Sequence, residues 1–272
     1  MPTNTQLLTR DELDRFAKSP VKCSRLRQKI ASLADFLAVM SDAIRTEEPF
    51  WFRGHEDVTF SLTPSALRFS EYSNRVKALG LMADFKRVAE LKLPRPPVPD
   101  KELEWAQIAQ HYGLPTRLLD WTESATTALY FACLRDDRDG LVFILNPIDL
   151  NRLSYPGKPR VLDPQQDSQI ILKYLRTSAR RTQGGRNPVA INPVWNSERL
   201  IMQKGVFTLH GKRFDLDSRE VPSLIAIPIL KESKPRLRAE LQRIGVDEMT
   251  LFPELEHSCV HLKRRAGLEN CK

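Results

Sequence analysis

Apolar residues fall into two kinds of pattern along this chain. In one they are spaced by three and four. Leu33, Phe36, Leu37 and Met40 lie one turn apart in 32–43 (SLADFLAVMSDA), which predicts an amphipathic helix. Residues 74–93, 102–111 and 235–245 show the same period, the last ending on Gly245, and a helix is also expected near 167–176. In the other pattern the apolar residues are continuous. Phe50–Phe52 before Arg53 and Gly54, LVFIL at 141–145, GVFTL at 205–209 and LIAIPI at 224–229 read as strands, with a shorter extended piece at 59–62. Residues 197–202 fit either a short helix or part of a loop and strand.

Punctuation divides these segments. Thr9 is a candidate N-cap for a short helix within the lead-in 1–18. The PRPPVP run at 94–99 cannot join a helix and is too short for a linker, so it reads as a loop inside one domain. Gly113 and Pro115 stop the helix at His111. Thr122 or Ser124 can cap a further helix over 125–134, a charged turn covers 136–140, and Pro147 closes the strand before it. Residues 151–192 read as mostly loop. Strands and helices that do not alternate strictly argue for an α+β fold, with a mixed central sheet flanked by helices in a single domain. The division expected is a helical lead-in at 1–30, the domain at 31–262 and a basic tail at 263–272.

The 272 residues carry a formal net charge of +8, which favours acidic partners such as nucleic acid. A basic loop at 177–188, with Arg180, Arg181 and Arg186 around Gly184 and Gly185, is either a solvated loop or a phosphate contact. The chain shows neither an apolar run of eighteen residues nor a signal-peptide core, so a cytoplasmic protein with no membrane partner is expected. Four scattered cysteines then read as reduced thiols. Cys259 between His257 and His261 lacks a second ligand pair, so no metal site is expected. No GxGxxG, P-loop or GxSxG motif occurs.

Chemistry concentrates in residues 107–133, QIAQHYGLPTRLLDWTESATTALYFAC. His111 and Tyr112, then Thr116, Arg117, Asp120, Trp121 and Thr122, exceed what core packing requires. We place the other half of a site at Phe52, Arg53, Gly54 and His55. Arginine forks suit phosphate or carboxylate, Gly54 allows a ligand close to the backbone, and a helix N-terminus after Thr122 offers unpaired N–H groups to an anion. Each has a structural alternative: Arg53 paired with Asp120, Asp120 and Thr122 as caps, His111 as a packing residue.

Phe52-Arg53-Gly54, LTPSALR at 62–68, the 107–133 stretch and Gln203 to Phe207 together resemble the FRG domain, a bacterial family named after its Phe-Arg-Gly triplet. A more distant resemblance links the chain to ADP-ribosyltransferases of the Arg-Ser-Glu type. Their aromatic-Arg-Gly strand is matched at 52–54. Their Ser-Thr-Ser-like strand before a helix is matched by Asp120-Trp121-Thr122 before 128–132, without the serine triplet. Their glutamate segment before a Gly-x-Phe strand is matched by 197–203 before 205–207, without a Glu-x-Glu.

These resemblances imply an NAD-dependent transferase active in bacterial conflict, as a toxin or phage-defence effector. NAD is the co-substrate, nucleic acid a possible acceptor, and an antitoxin protein a possible neutralising partner. Arg53, Thr122 and Glu198 take catalytic roles, with Gln203 competing for the position of Glu198. Gly54, His111, Tyr112, Thr116, Arg117, Asp120 and Trp121 join Arg53 in holding NAD, with Tyr112 or Trp121 stacking on the nicotinamide. The alternative is a non-enzymatic module that binds nucleic acid or protein, with these residues forming a structural polar core.

Overall fold

A computed structural model describes residues 6–20, 24–25, 27–44, 46–157, 159–180, 187–216, 221 and 223–268. In chain order the elements are α1 (Arg10–Phe16), β1 (Ser24–Arg25), α2 (Leu33–Ala43), β2 (Trp51–His55), α3 (Tyr72–Ala89), α4 (Glu102–His111), β3 (Leu118–Thr122), α5 (Ala125–Ala132), β4 (Gly140–Leu145) and α6 (Pro147–Ser154). They continue with α7 (Ser168–Leu175), β5 (Val189–Ile191), α8 (Glu198–Met202), β6 (Gly205–Leu209), β7 (Ile225–Ile229), α9 (Lys234–Arg243), α10 (Glu248–Leu251) and α11 (Leu255–Arg265). The strands form one seven-stranded sheet in the order β1-β7-β4-β2-β3-β6-β5, parallel only between β1 and β7. The fold is α+β, as the unalternated pattern predicts.

Local chemistry sets the helix ends. Thr9 and Glu12 form a reciprocal capping box on α1, and the side chains of Ser32, Ser124 and Ser197 accept backbone N–H bonds at the starts of α2, α5 and α8. Gly113 and Gly245 follow α4 and α9 at φ 85 and 81, where a side chain would be strained.

Several expectations are corrected. Pro147 ends β4 but also opens α6, because a proline at a helix start forfeits no hydrogen bond. Residues 59–62 are not extended: the Asp57 carboxylate accepts from the Thr59 N–H and hydroxyl and curls the chain into a turn. Helix α3 ends at Ala89, short of 93, and α11 carries helix through His257 and His261 to Arg265. Arg181, Gly184, Gly185 and Arg186 of the basic loop lie outside the described residues.

The two faces of the sheet are covered differently. One face presents Trp51, Trp121, Leu141, Phe143 and Val206 to a core that includes Leu8 and Phe16 from the N-terminal segment. On the other face, α2, α5 and α9 cover β2, β4 and β7 through Phe36, Leu129, Leu237 and Leu241. On that same face, α4 and α7 cover β3, β5 and β6 through Leu103, Ala106, Ile171 and Tyr174. The two groups of helices do not merge, and the gap between them lies over the β2–β3 seam.

Candidate functional site

Strands β2 and β3 are neighbours, yet they share a single pair, Phe52 with Thr122. Each pairs with its other neighbour along its whole length, β2 with β4 and β3 with β6. In the β3–β6 ladder, His210 N–H donates to the Arg117 carbonyl and Glu123 N–H to that of Lys204. Antiparallel alternation then turns the N–H and C=O of Asp120 toward β2. The strands part there, and Arg53 fills the gap: its Nη1 donates to the Asp120 carbonyl at 2.5 Å.

A cavity of about 470 Å³ opens above this seam. Its floor is Phe52, Arg53, Gly54, Asp120, Thr122 and Phe207, and its walls are Gln107, Gln110 and His111 of α4 and Phe131 of α5. The segment from Asn196 to Gln203 closes the third side, contributing Ser197, Arg199 and Leu200.

The floor is a polar network with a free edge. Arg53 Nε donates to His55 Nε2 at 3.0 Å, so the neutral imidazole carries its proton on Nδ1. Burial pushes the Arg53 guanidinium down to about 10, an effect Arg68 reinforces and Asp120 opposes, and the group remains a cation at neutral pH. The Asp120 carboxylate stands 3.9 Å from Arg53 Nη1 and is 62% exposed. Gln110 Nε2 holds its other oxygen at 2.5 Å, and the Thr116 hydroxyl fixes Gln110 in turn by donating to Gln110 Oε1. Gln107 is buried, its Oε1 accepts from Val194 N–H, and its Nε2 has no partner among the described residues.

The rim adds a second cation. Glu254 Oε1 lies 3.7 Å from His111 Nε2 and 3.8 Å from Arg199 Nη1. The Arg199 guanidinium sits over the Phe252 ring at 4.6 Å. Burial, then the charge of Arg199, lowers the pKa of His111 against the opposing pull of Glu254. The histidine is therefore neutral at pH 7.

The structure brings together Arg53, Gly54, His111, Asp120 and Thr122 from the residues singled out in the sequence. Gln203 joins them, its Nε2 donating to the Leu251 carbonyl. The Thr122 hydroxyl is engaged, donating to the Gln203 carbonyl at 2.6 Å and accepting from Ser124 N–H. Trp121 borders the cavity, but its indole is buried on the opposite face with Nε1 donating to Thr208 Oγ1. The Gly54 backbone is approached by helix α5: a Cβ there would stand 1.9 Å from the Ala128 carbonyl oxygen.

Other residues lie apart. Arg117 is buried and donates to the carbonyls of Thr177, His210 and Gly211. It precedes a strand rather than a helix, because β3 intervenes before α5. Tyr112 is 65% exposed just past α4, and Glu198 is exposed at the first position of α8; neither lines the cavity.

The sequence reading missed Gln107, Gln110, Asn196, Arg199 and Glu254. The first two had a signal, since Gln107, Gln110 and His111 stand at i, i+3 and i+4 on one helix face. Arg199 and Gln203 are likewise four apart. Glu254 had none, because only the tertiary fold brings it to the rim.

Residues 48–140 match the family model of the FRG domain. The matched segment supplies β2, α4, β3 and α5, which are two walls of the cavity and its floor apart from Phe207, but not the 196–203 wall. No curated protein and no solved structure matches the chain. Among the described residues no helix is long and apolar enough to cross a membrane, and no cluster of three His, Cys, Asp or Glu could hold a metal ion.

Proposed function

We propose that the cavity binds NAD and that the protein transfers ADP-ribose from it to an acceptor. The observation that carries this reading is convergence. The three segments that resemble the transferase marks, at 52–54, 120–122 and 197–203, are far apart in sequence, and all border one cavity. Its volume falls in the range of small-ligand sites, roughly 300–1,000 Å³. Its donors suit a pyrophosphate: Arg53 on the floor and Arg199 on the rim.

In this reading nicotinamide leaves the ribose C1′ with the bonding electron pair. The oxocarbenium-like centre is stabilised by a carboxylate, and an acceptor nucleophile then bonds to C1′. We assign the carboxylate role to Asp120 rather than Glu198, because Asp120 stands in the cavity held by Gln110. Arg53 and Arg199 hold the phosphates. Gln203 keeps its Oε1 for a ribose hydroxyl, and Thr122 positions the Gln203 backbone. A place in toxin or phage-defence systems, with a neutralising protein partner, belongs to the same proposal.

The test follows nicotinamide release and label transfer from labelled NAD, with lysate, RNA and DNA as acceptors. Arg53→Ala and Asp120→Asn should each lower turnover by about 10²–10³-fold while remaining folded. Undiminished turnover by a folded Arg53→Ala protein overturns the assignment. A second reading rests on the Arg53 bonds to His55 and the Asp120 carbonyl, which suit a structural plug in the sheet. Partner binding without any nicotinamide release would select that reading.

A further inference from the structure

A second groove, of about 730 Å³, lies beside the turn at 59–63, the 67–70 segment and Arg75 of α3. Phe60 and Phe69 line it, 43% and 41% exposed, and Tyr72, one helical turn before Arg75, is 41% exposed. Rings of this size are usually buried, and here three stand open along one stretch of chain. Arginines interleave with them. Arg68 Nε donates to the Thr63 carbonyl, which anchors the side chain and leaves its terminal nitrogens without a hydrogen-bond partner among the described residues. Arg180 lies over the Tyr72 ring at 5.3 Å and has no carboxylate partner among them. Arg75 donates to the carbonyls of Phe69, Ser70 and Ala179, so it ties the loop bearing Phe69 to the segment bearing Arg180.

We propose that this groove binds single-stranded nucleic acid, with Phe60, Phe69 and Tyr72 as stacking surfaces for bases and Arg68 and Arg180 as phosphate contacts. Open rings beside unpaired arginines are the combination that suits a strand whose bases are unstacked. A duplex keeps its bases inside and has no use for the rings. The groove's own lining carries Arg68 and Arg75 against one acid, Asp215, whereas the groove along α4 and α7 is lined by Glu104, Glu123 and Asp163 among other acids against Lys101, and suits a polyanion less. Phe60 further packs edge-on against His55 at 6.0 Å, and His55 holds Arg53. A bound strand therefore runs beside the seam that forms the cavity floor. The inference does not depend on NAD chemistry.

The test is fluorescence anisotropy with labelled oligouridine and oligothymidine of about a dozen nucleotides, against a duplex of the same length. The expected result is saturable binding of single strands that weakens roughly sevenfold to twentyfold between 50 and 200 mM salt, as two or three phosphate contacts require. Phe69→Ala and Tyr72→Ala should each weaken binding about tenfold or more. Arg68→Gln should lower affinity and flatten the salt dependence, and Glu104→Gln should leave binding unreduced. All four positions are on the surface, and circular dichroism checks the fold. Absence of saturable binding, equal affinity for the duplex, or wild-type binding by both aromatic variants would overturn the proposal. Nicotinamide release is measured on the same variants, so failure of this site and of the NAD reading are separated.

Discussion

Arg53 and Arg117 are alike by most measures that mark an arginine for attention. Both lie on or beside strands that flank the β2–β3 seam, and burial pushes both down to about 10. Their bonding separates them. Arg117 Nη1 and Nη2 donate to three backbone carbonyls from two distant segments, Thr177 and His210–Gly211. It lines none of the three cavities described above. Arg53 donates to one imidazole and one carbonyl, and Nη2 makes no hydrogen bond among the described residues at the floor of a cavity. Burial and a displaced pKa are therefore common to both roles. Arg117 also has spare capacity, since its Nε is buried without a partner among the described residues; what distinguishes the two is whether the capacity left over faces open space.

The sharpest way to break this comparison is to remove each arginine in turn. Arg117→Met leaves three carbonyls without their donor and should cost about 3–5 kcal/mol of stability, read as a lower urea midpoint. Arg53→Met uncovers one carbonyl beside an open cavity and the Nε2 of His55, and should cost about 1–2 kcal/mol, with its main effect on ligand binding. Equal destabilisation by the two variants would show that Arg53 is a structural plug.

Gly54→Ala asks how tightly the Arg53 strand is fixed. The new Cβ would collide with the backbone of α5 at Ala128 and Ala132, and neither neighbour is a flexible side-chain end. The strand or the helix must shift, which should cost about 2–3 kcal/mol or more and degrade the cavity with it. An unchanged urea midpoint for Gly54→Ala would refute the close approach of α5 to β2.

How far the sequence discloses these roles depends on the period of each element. Helices with a clear apolar stripe and a marked end, such as α2, α4 and α9, are legible to within two residues. Strands β4, β6 and β7, buried on both faces, are legible as continuous apolar runs. Strand β3 reads poorly from its residues because Asp120 interrupts the apolar run where the strand borders the cavity. Only its resemblance to the transferase strand marks it. Strands β1 and β5 are two and three residues long, too short to carry a pattern. Half of the site sits in one dense motif and can be read there. Arg117 shares that motif and faces away, while Arg199 and Glu254 reach the rim only through the tertiary fold.

The last effect is read against pH, because each arginine has a histidine attached to it. His210, whose carbonyl accepts from Arg117, donates through Nδ1–H to the Phe214 carbonyl and accepts from the Thr208 hydroxyl, which accepts in turn from Trp121. Burial holds His210 down to about 3, and a second proton would break this chain of donors. The unfolded chain takes that proton near pH 6.5. Stability from this group is complete above pH 6.5 and is lost as pH falls toward 3, at up to about 1.4 kcal/mol per pH unit. His55 is lowered in the same direction by burial, then by Arg53 and Arg68. His210→Gln and His55→Gln should each flatten the acid limb of a stability profile by nearly one proton. Only His55→Gln should also change the affinity of a phosphate-bearing ligand, since of the two histidines only His55 is hydrogen-bonded to the arginine that faces the cavity. A matching affinity loss in His210→Gln would show that the two arginines belong to one connected network rather than to two separate roles.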